Sequence, residues 1–196
     1  MCHIVSRKGV RLDPKKVAAM QDWLHPKTLE SLHGFLGLKG YYKKFVKNYG
    51  KFASPLTLLL KKNAFSWSEV AKKVCLALKD AMCTTPMLVV PDFTKTFVLK
   101  CDASSKSLGA ILMQEGHPLA FTSKQLCNRI LEKSTYEKET MAILHAIETW
   151  HPYLTGRHFQ IKTNLHSLKY FLEPRLSRRM NKSWLLRCWA KDYEYI

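Results

Sequence analysis

Asp102 and Glu139 are the acids of this chain whose placement could do chemistry. The run Phe97 to Asp102, FVLKCD, alternates with period two. Phe97, Leu99 and Cys101 take one face and Val98, Lys100 and Asp102 the other, the pattern of a half-buried strand. The strand stops on the acid. A small polar turn, Ala103 to Ser107, and a second β-prone run, Leu108 to Met113, complete a hairpin. A carboxylate at the open end of a sheet offers the hard oxygens that a divalent cation takes. The same position equally suits an acid that only forms a turn.

Glu139 lies on a second element. Ser134-Thr135-Tyr136-Glu137 is a capping signature, with Ser134 as N-cap and Glu137 three residues on, and the helix it opens runs to about His151, before Pro152. Tyr136, Ile143, Leu144, Ile147 and Trp150 form its buried stripe, and rotation puts Glu139 on that same inward side, with Glu137, Lys138 and Glu148 outside. An inward carboxylate is costly unless something pairs with it. If the helix packs on the hairpin, Glu139 meets Asp102, and two carboxylates brought together need a cation or a shared proton. The alternative is that Glu139 only favours the positive end of the helix dipole.

A third group of residues is basic. In LKGYYKKFVKNYGKF, Leu38 to Phe52, plotting at about 100° per residue puts Tyr41, Tyr42, Phe45, Val46, Tyr49 and Phe52 on one side of a helix. Lys39, Lys43, Lys44, Lys47 and Lys51 fall opposite. Lysines at i, i+4 and i+8 repel one another, so a stripe of them suits a site where phosphates supply counter-charge. A solvated basic face is the other reading.

The composition favours the first. A net charge of +17, from 32 Lys and Arg against 15 Asp and Glu, exceeds what solubility requires and points to a polyanion, nucleic acid before an acidic membrane, because the basic residues are spread along the chain. No feature argues for a protein partner. Six cysteines without C-x-x-C spacing read as free thiols in a reducing compartment. No apolar run reaches membrane-span length and the start lacks a signal peptide's apolar centre, so an intracellular, cytoplasmic or nuclear, soluble protein is expected.

The elements around these residues follow in order. Cys2 to Val5 is a short strand, and Arg7-Lys8-Gly9 a turn whose partner is expected further upstream. Asp13-Pro14 starts a helix with Val17, Met20 and Trp23 or Leu24 on its apolar side, and Pro26 ends it; Thr28 caps the next. A short Leu-rich helix carrying Pro55 closes at Lys61-Lys62-Asn63, where a boundary is placed. Beyond it, a helix over 66–83 buries Val70, Val74, Ala77, Leu78 and Ala81. Pro86 and Pro91 bracket a connector. A third strand near 118–123 completes an antiparallel meander, and Phe159 to Thr163, beyond a full helix, lies parallel to the first strand by a right-handed crossover. Helices are expected near 166–172 and 178–191, and a fifth strand from Tyr193.

Order and wording add a resemblance. FVLKCDASSKSLGAILMQEGHPLAFTSK, STYEKETMAI and GRHFQIKTNLHSLKYFL resemble the ribonuclease H domain of gypsy-type long-terminal-repeat retrotransposon polyproteins. LESLHGFLGLKGYYKKFVKNYGKFASPLTLLLKK and FSWSEVAKKVCLALKDAMCTTPMLVVPDF resemble the thumb and connection that follow the polymerase palm in the same reverse transcriptases. The resemblance implies a palm end and thumb/connection over 1–63 and a truncated ribonuclease-H-like domain over 64–196. The fold is then α+β or α/β: a helical segment, then a mixed sheet of a three-strand meander, a crossover helix and a parallel fourth strand.

It also implies cleavage of the RNA strand of an RNA–DNA hybrid by two Mg²⁺ ions held on four carboxylates. By motif the first carboxylate carries over to Asp102 and the second to Glu139. The third should follow the fourth strand, where the family usually has Thr-Asp-His, and the chain reads Thr163-Asn164-Leu165. Asn164 has the shape of the expected Asp but offers a neutral oxygen where a bridging site wants an anion, so weak Mg²⁺ binding is implied. The fourth would lie beyond Ile196 and the polymerase motif before Met1. The expectation is an enzyme-derived piece with impaired catalysis, or alternatively a non-catalytic basic module that binds nucleic acid.

Overall fold

The computed structural model describes residues 3–6, 9–62, 64–163 and 193–195. It divides into two units, one made of Met1–Val90 with Pro118–Gln125, the other of Pro91–His117 with Leu126–Ile196.

In the first unit, strands β1 (His3–Ser6) and β2 (Gly9–Leu12) pair antiparallel, Val5 opposite Val10. The partner of β1 is therefore the next strand downstream, not an upstream one. Leu88 of the proline-bracketed connector exchanges two backbone bonds with Val10. Gly9, at φ +136°, passes so close to Leu88 that an added Cβ would lie 2.3 Å from its carbonyl oxygen.

Helix α1 (Pro14–Gln21) starts as expected, with Asp13 Oδ1 accepting from the Lys15 N–H at 3.0 Å. It ends at Gln21, five residues before Pro26, so Trp23 and Leu24 lie beyond it, and Leu24 is exposed. Thr28 and Ser31 bond reciprocally, each backbone N–H to the other's hydroxyl, at the head of α2 (Leu29–Tyr41).

A single helix over 38–52 does not form. α2 gives way to a 3-10 turn at Lys43–Phe45, Val46 is extended, Asn48 is left-handed at φ 57°, and α3 (Tyr49–Leu58) starts afresh. Tyr42, Phe45 and Val46 are buried and have the i, i+3, i+4 spacing of one helix face, but the extended Val46 and the left-handed Asn48 interrupt the helix there. Gly50 N–H in the first turn of α3 donates to Ser123 Oγ at 2.7 Å, a cap supplied from 73 residues away because Asn48 makes no side-chain cap.

Helix α4 (Glu69–Cys83) is capped by Ser68, whose Oγ accepts from the Ala71 N–H. Its buried stripe is Ala71, Cys75, Leu78 and Met82, with Lys79 beside it, while Val70 is exposed. The expected stripe followed the valines. The observed one, spaced 4, 3 and 4, lies about one residue further on and packs with Leu32, Phe35 and Leu56 into a core.

In the second unit, β3 (Phe97–Ala103) is central. β4 (Ser107–Gln114) pairs antiparallel to it, Asp102 opposite Gly109. β5 (His117–Gln125) follows by a two-residue turn, so three strands run in succession as expected, the third grouping with the first unit from Pro118 on. A short helix α5 (Asn128–Leu131) leads to α6 (Thr135–Leu154), with the Ser134–Glu137 capping box formed in both directions. α6 packs on β3 and β4 through Ala142, Ile143, Ala146, Ile147 and Trp150. It continues past Pro152 to Leu154 because the backbone kinks at Trp150.

β6 (Phe159–Lys162) lies parallel to β3, Phe97 opposite Phe159, and β7 (Tyr193–Tyr195) parallel to β6, which supplies the expected fifth strand. Within this unit the order β4-β3-β6-β7 is the mixed sheet read from the sequence. The expected helices near 166–172 and 178–191 lie outside the described residues.

Candidate functional site

The register of the sheet makes the corner where the acids lie. The parallel ladder between β3 and β6 ends at Lys100 opposite Lys162, but β3 runs on through Cys101, Asp102 and Ala103. Ser104 N–H turns toward β4, donating to Ser107 O at 2.8 Å, so by alternation the Ala103 N–H faces the other way, beyond the end of the β3–β6 register. Glu139 takes it. Glu139 Oε1 accepts from the Ala103 N–H at 3.1 Å, and Oε2 accepts from the Thr163 hydroxyl at 3.4 Å, just past the end of β6.

Glu139 is only 4 % exposed, as its inward position on α6 requires. Asp102, on the opposite side of β3 from Cys101, is exposed. Among the described residues no Lys or Arg forms an ion pair with either acid. Burial pushes the Glu139 carboxyl above its ordinary value and the Asp102 charge pushes it further, against the lowering effect of the Ala103 and Thr163 donors. The buried Cys101 thiol is raised too, first by desolvation and then by the charges of Glu139 and Asp102. The Asp102 charge thus acts on both buried side chains, Glu139 and Cys101.

Such a corner fits a cation. A buried carboxylate with a spare lone pair on each oxygen, next to a second acid and unmatched by a base, is the donor chemistry of a hard divalent ion. Among the described residues no group of three or more His, Cys, Asp and Glu side chains gathers. Asn164, the expected third position, lies outside them.

Sequence reasoning placed Glu139 inward, but it missed Thr163 and the Ala103 N–H. No local sequence signal marks Thr163, whose contact follows from where the β3–β6 register ends. The signal for Ala103 was a strand longer than its parallel partner.

The lysines are distributed differently. Lys43, Lys44, Lys47 and Lys51 are exposed, but they lie on a 3-10 turn, a loop and the first turn of α3, so the regular i, i+4, i+8 stripe is not present. Lys44 stands over the Phe45 ring at 5.3 Å. The Lys39 side chain lies outside the described residues.

The fold is that of an RNase H-like protein. The foamy viral protease-reverse transcriptase superposes over 100 % of this chain with a TM-score of 0.83 in its complex with double-stranded DNA and 0.80 in its complex with an RNA/DNA hybrid, at 20 % identity, covering 37 % and 28 % of those chains. Residues 67–161 match the RNase H-like domain found in reverse transcriptase. The retrovirus-related Pol polyprotein from transposon 297 of Drosophila melanogaster is 40 % identical over 98 % of this chain, and that from transposon gypsy of the same fly 31 % identical over 92 %. The chain belongs with these retrotransposon Pol polyproteins, and it carries their RNase H-like domain. It spans about a fifth of the length of either relative, 18 % and 19 %. No helix among the described residues is long and apolar enough to cross a membrane.

Proposed function

We propose that this chain is the part of a retrotransposon reverse transcriptase that engages an RNA–DNA hybrid, with 1–63 as palm end and thumb/connection and 64–196 as the ribonuclease-H-like domain. Asp102 and Glu139 are assigned as ligands of Mg²⁺, which when bound would supply charge neutralisation and an activated water for phosphodiester hydrolysis. The observation that carries this reading is the buried Glu139 carboxylate, with a donor to each oxygen and the Asp102 charge acting on it, and with no Lys or Arg paired to either acid among the described residues.

What this chain contributes is orientation and one buried carboxylate, Glu139, beside which carboxylate–cation attraction is less screened than in bulk water. Asn164 weakens that contribution, since an amide oxygen carries no formal charge to share with a second cation. The reading therefore includes impaired cleavage by the chain with its own residues. A labelled RNA–DNA hybrid incubated with purified protein and Mg²⁺ tests it. Little cleavage is expected from the natural chain and a gain from Asn164→Asp, lost again on adding Asp102→Asn. Robust cleavage by the natural chain that Asp102→Asn leaves intact would sink the assignment.

A second reading keeps binding without catalysis. The exposed Lys43, Lys44, Lys47 and Lys51 and the charge of +17 favour it, as do relatives of this fold solved with double-stranded DNA and with a hybrid. Each phosphate neutralised releases counterions, so replacing all four lysines by Gln should flatten the plot of log affinity against log salt by up to about 3 to 4 in slope. Binding that is saturable and salt-dependent in the natural chain but unchanged by the four substitutions would remove these lysines from the interface.

A further inference from the structure

Thr163 follows directly on the second strand of the parallel pair, within reach of the carboxylate on α6. The register of β6 with β3 ends at Lys162, opposite Lys100, and Thr163 is the next residue along. Its hydroxyl meets Glu139 Oε2 at 3.4 Å while the Ala103 N–H meets Oε1 at 3.1 Å. The two anchors come from two different strands and take the two oxygens separately. A carboxylate gripped by one oxygen can still swing about that bond; gripped by both, its plane is set.

We infer that Thr163 is a positioning residue for the cation site: its hydroxyl and the Ala103 N–H together set the plane of the Glu139 carboxylate, so that the remaining lone pair on each oxygen is presented on the side of Asp102. This rests on the cation reading of Asp102 and Glu139 given above. The chemistry is that of an outer-sphere donor. Removing a group that orients a metal ligand costs about 10- to 100-fold in metal affinity even though the group never touches the metal. The two anchors can be separated, because Ala103 acts through its backbone N–H, which any residue but proline keeps, whereas the hydroxyl at 163 can be deleted alone.

Mn²⁺ binding to the full chain, followed by the loss of the free-ion EPR signal, tests this without relying on catalysis. The natural chain is the background, with Asp102 and Glu139 as the assigned ligands. In that background Thr163→Val is expected to weaken Mn²⁺ binding about tenfold or more, while Thr163→Ser stays near the background value. Metal-free melting curves are recorded alongside. If Thr163→Val also lowers the metal-free melting temperature, the pair Thr163→Ser and Thr163→Ala, which differ only in the hydroxyl, decides the matter by the same affinity ratio. Equal Mn²⁺ affinity with and without the hydroxyl would overturn the positioning role and leave the cation site standing. Mn²⁺ binding that neither Asp102→Asn nor Glu139→Gln weakens would overturn the site itself and the role of Thr163 with it.

Discussion

Lys79 in the first unit and Glu139 in the second are both charged and both buried, at 7 % and 4 % exposure, but their surroundings are opposite in kind. The Lys79 ammonium donates to Gln21 O at 3.0 Å and to Trp23 O, at the carbonyl end of α1 where the helix dipole is negative. Every feature around it favours the charge. Gln114, buried in the second unit, is similarly matched, accepting from the Asp92 N–H and donating to Asp92 O and Lys95 O. Glu139 has two donors, yet the charge that acts on it among the described residues is another acid, Asp102. A buried charge whose partners are complete explains itself as architecture; one left beside a like charge is held there against its own electrostatics, and that is where a ligand is to be sought.

The contrast can be broken by substitution. Lys79→Met fills similar volume but leaves the Gln21 and Trp23 carbonyls without their donor, so it is expected to lower stability by about 2 kcal/mol, read from the midpoint of urea unfolding. Glu139→Gln should act in the other direction. Its amide oxygen still accepts from the Ala103 N–H while the repelled charge disappears, and a gain of about 1 kcal/mol at neutral pH is expected. A loss of stability comparable to that of Lys79→Met would mean that Glu139 is a structural residue like Lys79.

The pH dependence sharpens the same comparison. The folded-state value of Glu139 lies above its usual 4.5, so the folded chain holds this proton more tightly than the unfolded one. Its contribution to stability is greatest below about 4.5 and declines as pH rises through the raised folded value. The advantage of Glu139→Gln over the parent should accordingly be small in acid, grow across that window and then level off, in melts of both proteins at matched pH. The smallest effect belongs to Asp102→Asn. Because Asp102 is exposed, removing its charge should change neutral-pH stability by no more than about 0.5 kcal/mol, while NMR titration should show the Glu139 carboxyl moving down toward its usual range.

Much of the second unit was legible in advance because each signal was local and agreed with its neighbours. The alternation in FVLKCD, the Ser134–Glu137 cap, the inward turn of Glu139 and the parallel β6 all appear where the residues put them. The first unit was harder. Its lysine-aromatic stretch has helical spacing, but an extended Val46 and a left-handed Asn48 interrupt it. The buried face of α4 was set by Cys75 and Met82 where the valines beside them drew attention. Lys79, an unremarkable lysine in sequence, became an internal cap only because the end of α1 came to meet it. The Thr163 contact likewise depends on how far one strand outruns another, which no local pattern encodes.

Parallel strands carry a kinetic consequence. Phe97 finds Phe159 only after about sixty intervening residues have formed a hairpin, a turn and a long helix. Thr163 can close on Glu139 no sooner than β6 meets β3, so that flank of β3 stays bare until the long intervening loop has closed. Whatever slows that encounter, such as a stalled ribosome or a substitution weakening β6, lengthens the interval in which the bare flank can pair with another copy instead.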